Sequence, residues 1–371
     1  MVFSLNTNGS NYVTLHNFSP VLLNNDTSIY TNSDGIEPAT SGVILSGNTL
    51  YGTAQVGGIF GYGTVFSLNS NGSNFLTLHN FGLGPSGNVT GPYTNNDGLE
   101  PQSTLLLSGN TLYGTASEGG TYGTGTVFAM STNGSSFTVL HTFGALVLNT
   151  NTSTLTNDGY APQGAALILY GNTLYGTTSA GGTNDAGTVF SLNINGSNYM
   201  VLHSFSYYGA DGGYPSCGLS LSGNTLYGAA FSGGTNGFGT VFSLSTNGSD
   251  FTVLYAFQTF YDGDHPEGLM LSGNTLYGTT HDGSTNSYGM VYSLTVTVPV
   301  SPPQLAIARS GTNVILDWPT NATGFTLEST TNLVSPAIWI TNASLPVVVG
   351  TNNAVTNGIS GTWKFYRLIG Q

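Results

Sequence analysis

The chain has 371 residues, of which only 5% are charged, and its formal net charge is −13. All three basic residues lie after position 300, so the first 300 residues contain 14 Asp and Glu but no Lys or Arg. Basic side chains therefore cannot mediate binding of nucleic acid, an anionic membrane surface or an anionic substrate in this region. A neutral ligand such as an uncharged sugar, or a cation, suits the composition better.

The same break in composition predicts a domain boundary. All three tryptophans also lie after residue 300, and prolines occupy positions 299, 302 and 303. We predict a repeat domain at residues 1–298, a proline-rich linker at 299–303 and a second domain at 304–371. No apolar run is long enough to predict a membrane span. The given chain opens directly on repeat sequence without a signal peptide, so we expect its start to be internal to a longer precursor or to follow processing.

One phrase, Thr-Leu-Tyr-Gly followed by Thr or Ala, recurs five times along the chain. Its tyrosines are separated by 62, 62, 52 and 50 residues. Each copy lies within a longer shared pattern built from Asp-Gly-x-x-Pro, Gly-Gly, Gly-Thr-Val-Phe and Leu-His-x-Phe. A self-similar period of this length predicts a repeat architecture. The five tyrosines are Tyr51, Tyr113, Tyr175, Tyr227 and Tyr277.

Each repeat is predicted to form four short antiparallel strands, lettered A to D. In the second copy, strand A is Leu105–Leu107 and strand B is Thr111–Ala116, joined by a tight turn that contains Gly-Asn. Strand C is Gly125–Met130, and an Asn-Gly turn leads to strand D at Phe137–Phe143. No segment of the repeats has helical spacing.

Four-stranded antiparallel units repeated about an axis are typical of a β-propeller, so we predict an all-β propeller of about five blades. Six blades, one of them incomplete, are the first alternative, and a stacked solenoid is the second. The region begins and ends with a strand C. The N-terminal strand D, Tyr12–Phe18, is predicted to complete the last A–B–C set, which ends at Met290–Leu294. This arrangement leaves the first strand, Val2–Leu5, without a place.

The ordered motifs also resemble known families. The glycine pair after strand B resembles kelch-type blades, and the whole series of motifs resembles the GloVer tandem repeats of exported bacterial proteins. This resemblance covers about residues 1–295; it implies an extracellular or cell-surface location and no catalytic residues. Residues 304–371 resemble the Ig- or fibronectin-like modules of exported bacterial proteins, which implies a small β-sandwich. Its predicted strands are at 314–316, 325–327, 338–340, 347–349 and 365–368.

Turn length predicts which edge of the repeats would bind a ligand. The A–B and C–D turns are tight, whereas the longer B–C and D–A loops emerge together at the opposite edge. Tyrosine rings beside amides and carboxylates suit neutral sugars, which stack on rings and hydrogen-bond to polar groups. Packing of the aromatic residues within the loops is the alternative. The predicted ligand-binding residues are Tyr30, Tyr93, Asn95, Tyr122, Tyr207, Tyr208 and Tyr261.

The aspartates of the Asp-Gly-x-x-Pro loops allow two interpretations. An Asp before Gly closes an ordinary turn, whereas oxygen-rich loops also bind Ca²⁺. We predict the turn role and no cofactor, with calcium as the alternative. The histidines of Leu-His-x-Phe are predicted to be structural, because Tyr255 replaces them in the fifth copy, and His265 and His281 lie outside this pattern. The aspartates are Asp34, Asp97, Asp158, Asp211 and Asp262.

Two functions fit these expectations. The first is a non-catalytic, exported or cell-surface propeller that binds a neutral ligand, a glycan in particular, at the loop edge. The second is a structural subunit of a filament or surface layer. Such a subunit would assemble with itself or another surface protein by strand addition or through the C-terminal domain. An enzyme is not expected, because sialidase-type sites need arginines; a glycosidase with a carboxylate pair is the enzymatic alternative.

Overall fold

The structure is a computed structural model with two compact units, Met1–Thr297 and Val298–Gln371. It is all-β, and its one helix among the described residues is a 3₁₀ turn at Phe260–Asp262. The predicted linker at 299–303 lies outside those residues. The structure describes residues 1–24, 29–38, 42–82, 94–149, 154–163, 166–207, 209–215, 217–284, 288–296, 304–319, 325–333, 338–342, 344–350, 352–358 and 363–370.

Among the described residues, the first unit contains eight small antiparallel sheets: two separate hairpins and six repeat sheets, which we number sheet 1 to sheet 6 in chain order. Sheet 1 contains β1 (Val2–Ser4) and β2 (Val13–His16), and a separate hairpin of β3 (Leu22–Asn24) and β4 (Ile29–Thr31) follows it. Sheet 2 contains β5 (Ile36–Pro38), β6 (Ile44–Ser46), β7 (Thr49–Val56), β8 (Thr64–Asn69) and β9 (Leu76–Asn80). Sheet 3 contains β10 (Leu106–Ser108), β11 (Thr111–Ala116), β12 (Thr126–Ser131) and β13 (Phe137–Thr142).

The remaining sheets of this unit repeat the same order. A second separate hairpin, β14 (Leu146–Asn149) and β15 (Thr154–Asn157), precedes sheet 4. Sheet 4 contains β16 (Ile168–Tyr170), β17 (Thr173–Thr178), β18 (Thr188–Asn193) and β19 (Met200–Ser204). Sheet 5 contains β20 (Ser220–Ser222), β21 (Thr225–Ala230), β22 (Thr240–Ser245) and β23 (Thr252–Ala256). Sheet 6 contains β24 (Asp264–Ser272), β25 (Thr275–Asp282) and β26 (Met290–Thr295).

Consecutive sheets pack face to face through equivalent residues. Between sheets 3 and 4, Tyr113, Val127 and Phe143 pack against a leucine and phenylalanine layer that contains Leu174 and Phe190. Equivalent clusters join sheet 2 to sheet 3 and sheet 4 to sheet 5. The buried core of this unit is therefore a series of like junctions, each made by two neighbours.

Two glycines recur at the same positions of every repeat, and close contacts between strands and loops explain why. Gly114 of strand B lies directly opposite Phe128, and a Cβ on Gly114 would lie 2.5 Å from the ring. Gly125, with φ +109°, begins the Gly-Thr-Val-Phe motif, and a Cβ there would lie 2.6 Å from Pro162 of the next Asp-Gly-x-x-Pro loop. Two motifs that are distant in sequence therefore fit together across each junction.

The predicted pairing of the two ends is wrong in this structure. The N-terminal strand D, β2, pairs with β1 rather than with the last strand C, β26. Sheet 6 has three strands and sheet 1 has two. A short hairpin forms in preference because its turn at Asn8-Gly9 closes a small loop, whereas pairing with β26 closes most of the unit.

The described residues of the second unit form two antiparallel sheets. One has the order β27 (Ala306–Ser310), β28 (Asn313–Pro319), β32 (Asn352–Gly358) and β31 (Val347–Val349). The other has the order β30 (Ile340–Thr341), β29 (Phe325–Thr330) and β33 (Phe365–Gly370). Leu316, Trp318 and Val355 from the first sheet share one buried cluster with Leu327 from the second. The Ig- or fibronectin-like identity of this unit stays a prediction.

Candidate functional site

The Asp-Gly-x-x-Pro loops and the Leu-His-x-Phe strands form one repeated contact. In sheet 3, His141 lies on β13, and its Nε2 is 2.8 Å from Asp158 Oδ2 in the loop that follows. The second carboxylate oxygen, Oδ1, accepts a hydrogen bond from the Gly144 backbone amide at 2.7 Å. The same His–Asp contact recurs at 2.8–3.1 Å in four copies, and Tyr255 donates to Asp262 in the fifth at 2.7 Å. The four pairs are His16–Asp34, His79–Asp97, His141–Asp158 and His203–Asp211.

Each of these histidines also contacts the next sheet. His141 stacks on Tyr199, the first aromatic residue of the following strand D, with ring centroids 3.8 Å apart. The other three histidines stack in the same way on Phe75, Phe137 and Phe251. The repeated aspartate thus orients a ring that joins two sheets, and its carboxylate is occupied by that role.

The calcium alternative gains no geometric support. Among the described residues, no group of three or more His, Cys, Asp or Glu side chains is arranged to hold a metal ion. The five aspartates lie at five different junctions, and each carboxylate bonds a histidine or a tyrosine. Sequence reasoning placed the histidines and aspartates separately and missed that they form pairs. The available signal was that the two motifs follow each other in the same order in every repeat, although the His–Asp spacing ranges from 8 to 18 residues.

Asn95 is buried, so the prediction that it contacts a ligand is wrong. Its Oδ1 accepts hydrogen bonds from the Gly98 and Gly120 amides at 2.9 and 2.7 Å. Its Nδ2 donates to the Gly98 carbonyl and to Asp97. The side chain therefore fastens the D–A loop to the glycine pair of the B–C loop, and Asn32 makes the equivalent contacts with Gly35 and Gly58.

The predicted tyrosines are exposed at the loop edge where the structure describes them. Tyr30 lies on β4, Tyr122 lies in a B–C loop, and Tyr207 and Tyr261 lie in D–A loops. Tyr207 packs edge-on against Tyr214, with centroids 5.6 Å apart. The hairpin of β3 and β4 contacts the B–C loop of sheet 2, because Ile29 lies against Gly61. The remaining two predicted residues, Tyr93 and Tyr208, lie outside the described residues.

A titratable cluster that the repeat pattern does not explain lies on sheet 6. His281 Nδ1 lies 2.9 Å from Asp282 Oδ2, and His265 Nδ1 lies 3.2 Å from Asp264 and 3.6 Å from Asp282. Burial raises the pKa of Asp264, and the hydrogen bond to Asp282 raises the pKa of His281. The Cys217 thiol is buried, which raises its pKa to about 11 and disfavours the reactive thiolate.

An aromatic cavity is lined in part by β26, one edge of which has no partner strand among the described residues. Its volume is about 200 Å³, and its lining includes the rings of Tyr255, Phe257 and Tyr292. The same repeat positions in sheets 2 and 3 are His79, Phe81 and Phe128, and these three rings enclose a fourth aromatic ring, Phe137. The cavity is thus the position that a strand D aromatic residue fills at the other junctions.

Comparison with known proteins identifies the repeats. The family model described as the Gloeobacter/Verrucomicrobia repeat matches residues 1–156 and 146–302. No curated protein matches the chain. Within the described residues, no helix has the length and apolar composition needed to cross a membrane.

Solved structures offer distant similarity. A putative 6-phosphogluconolactonase from Bacteroides uniformis ATCC 8492 is 12% identical, with a TM-score of 0.40 over 91% of this chain and 94% of that one. A putative TolB from Agrobacterium tumefaciens is 15% identical, with a TM-score of 0.37 over 72% and 79%. TolB from Acinetobacter baumannii is 11% identical, with a TM-score of 0.36 over 70% and 57%.

Proposed function

The chain belongs to the Gloeobacter/Verrucomicrobia repeat family, and from this premise we propose that it is a non-catalytic, exported or cell-surface β-propeller-type scaffold. Its loop edge binds a neutral glycan. The scaffold consists of like junctions, and the repeated acidic residues are engaged within them. What remains at the loop edge is a set of exposed tyrosine rings without any basic side chain.

The exposed tyrosines carry this proposal. Tyr30 and Tyr122 are each about half exposed at the edge that holds the long loops. The first 300 residues lack Lys and Arg, so an anionic ligand would find no counter-charge there. Aromatic faces with nearby hydroxyls and amides suit the apolar faces and hydroxyl groups of a neutral sugar.

Affinity electrophoresis in gels that contain neutral polysaccharides tests glycan binding. We expect retardation of the wild-type chain and its loss in a Tyr30→Ala, Tyr122→Ala double variant. Tyr170→Ala is the matched control, because Tyr170 is similarly exposed but lies beside the A–B turn at the opposite edge. Equal migration of wild type and double variant in every polysaccharide gel would remove the glycan proposal.

The second candidate function is self-assembly into an extracellular filament or layer. One observation favours it: residues that join sheets elsewhere are uncovered on sheet 6. Tyr277 is 44% exposed, whereas its four equivalents are at most 9% exposed. Val291 is 78% exposed, whereas Val127 and the other equivalents in sheets 2 to 5 are fully buried. Contiguous apolar surface of this kind marks an interaction site.

A further inference from the structure

The end of sheet 6 is an incomplete site whose missing part is defined by the chain itself. In sheets 2 to 5, strand C pairs with a strand D that begins with an aromatic residue or directly follows one. In sheet 6, strand C is β26, and its outer edge is unpaired among the described residues. The cavity beside it lacks only the ring that a strand D supplies.

The interior junctions show how that ring is held. Phe137 stacks on His79 of the preceding sheet at 3.9 Å and on Phe128 of its own strand C at 5.3 Å, and it meets the edge of Phe81 at 5.7 Å. At sheet 6 the three partners are present as Tyr255, Phe257 and Tyr292, and all three line the cavity. Any occupant must therefore offer an aromatic side chain at the start of an extended strand.

The segment that contains Tyr12 and β2 offers an aromatic residue followed by an extended strand. Among the described residues, its aromatic ring does not stack on a histidine of another sheet, unlike the equivalent rings of the other repeats. Phe75, Phe137, Tyr199 and Phe251 each stack on a histidine of the preceding sheet. Tyr12, which precedes β2, stacks on Phe3 of its own sheet instead and is 55% exposed.

β1, the strand that pairs with β2, is a shorter equivalent of β26. In sheet 1, Val2, Phe3 and Ser4 pair with His16, Thr14 and Val13. By repeat position, Val291, Tyr292 and Ser293 of β26 correspond to these three residues of β1. β26 has six residues against three in β1, and it is supported by the two further strands of sheet 6. Exchange of β1 for β26 would therefore lengthen the ladder that holds β2.

We propose that β26 of one molecule pairs with β2 of a second copy in place of that copy's β1, and that Tyr12 of the second copy fills the cavity. The contact is heterologous, so it generates closed rings or open chains. Residues 1–300 contain no lysine, the residue that commonly protects strand edges from such pairing. This inference rests on the second candidate function, self-assembly, and names its site.

Disulfide trapping between two single-cysteine variants tests the register. Ser293→Cys and Val13→Cys should form a covalent heterodimer when mixed and oxidised, because directly paired Cβ atoms lie within disulfide reach. The control is Ser293→Cys mixed with Thr14→Cys, whose side chain points to the other face of the strand. We expect at least tenfold more heterodimer in the first mixture. All of these variants also carry Cys217→Ser, so the introduced thiols are the only ones in the chain.

The same variants separate the two possible sources of β2. In the Ser293→Cys, Val13→Cys double variant, pairing with a second copy gives covalent multimers. A cross-linked monomer of altered mobility would show that the chain closes on its own β2, and would overturn the proposal. Equal yields from the two mixtures would overturn it as well.

Light scattering over a concentration series distinguishes failure of the proposed β26–β2 contact from failure of self-assembly as a whole. We expect the wild-type chain to associate reversibly, Tyr12→Ala to weaken association at least tenfold, and Tyr170→Ala to leave it unchanged. Association that survives Tyr12→Ala, without register-specific cross-links, would reject this site while retaining self-assembly. A wild type that is monomeric throughout and gives no cross-link would reject both.

Discussion

At the scale of single residues, the repeated histidine combines two roles. Its Nε2–H donates to the aspartate of the following loop, while the ring face stacks on the next sheet. Burial lowers the pKa of His203 and outweighs the opposing effect of Asp211. The folded state therefore favours the neutral imidazole at this position, and protonation opposes folding.

This sign predicts a loss of stability in acid. The pKa of His203 is lower in the folded chain than the ordinary histidine value of 6.5. Its contribution is therefore complete above pH 6.5 and is lost as the pH falls from there through the lower folded value. Urea unfolding at a series of pH values should give a shallower acid-side loss for His203→Tyr, which copies Tyr255 of the fifth repeat. Superimposable pH profiles would contradict this assignment.

Glycine is required where neighbouring motifs meet, rather than wherever it occurs. Gly125→Ala would place a Cβ against Pro162 and the Ala116 carbonyl at a φ of +109°, so we expect a loss of about 2–4 kcal/mol in the free energy of unfolding. Gly109→Ala, at φ +57° with open space around it, should cost only about 1 kcal/mol. Chemical denaturation of both variants makes the comparison; equal losses would mean that the contact with Pro162 is unimportant.

At the scale of elements, the sequence was most informative where the repeat is regular. Strand B of the second copy was predicted at the residues where it occurs, because Gly-Asn and Gly-Gly mark both of its ends. The hairpin of β14 and β15 was missed because it interrupts a loop rich in Asn and Thr. β32 was also missed: Asn352–Gly358 is polar with Asn and Gly at its ends, yet it lies between β28 and β31 in the second unit.

The candidate site was less predictable than the strands. The exposed tyrosines follow from their places in loops, but the burial of Asn95 depends on Gly120, which lies 25 residues away. The cavity at β26 depends on how three residues from two sheets converge. Both features result from contacts between elements, which local patterns do not encode.

Position in the stack should decide the cost of an identical substitution. Val127→Ala removes a fully buried side chain between sheets 3 and 4, so we expect a loss of about 2 kcal/mol. Val291→Ala changes the same motif position on an uncovered face and should cost less than about 0.5 kcal/mol. Both are measured by urea unfolding at low protein concentration, where association does not contribute. A large loss for Val291→Ala in a monomer would mean that its face is covered within the chain.

At the scale of the whole repeat unit, stability is distributed over junctions between neighbours. Sheets 3 and 4 each have a neighbour on both sides, whereas sheets 1 and 6 each have one described neighbour. We expect backbone amides of β12 and β17 to exchange about tenfold more slowly, or more, than those of β1 and β26. Hydrogen exchange followed by mass spectrometry resolves these segments. Uniform protection along the unit would contradict a stack of separate junctions and would indicate that it unfolds as one cooperative body.

The residue before the proline of each Asp-Gly-x-x-Pro loop adopts a left-handed backbone conformation. Its contacts bear on how a chain of this kind gains or loses repeats. Residues such as Glu100 and Ala161 adopt φ near +55° and donate their amides back to the preceding B–C loop at Tyr62 and Thr124. Each repeat thus contains a D–A loop that contacts the preceding repeat and a B–C loop that contacts the following one. Duplication of one whole repeat would create a junction of the kind already present. Deletion of one would bring a B–C loop and a D–A loop of the same kinds into contact. The gene could therefore lengthen or shorten the array in whole steps while the two ends keep their chemistry.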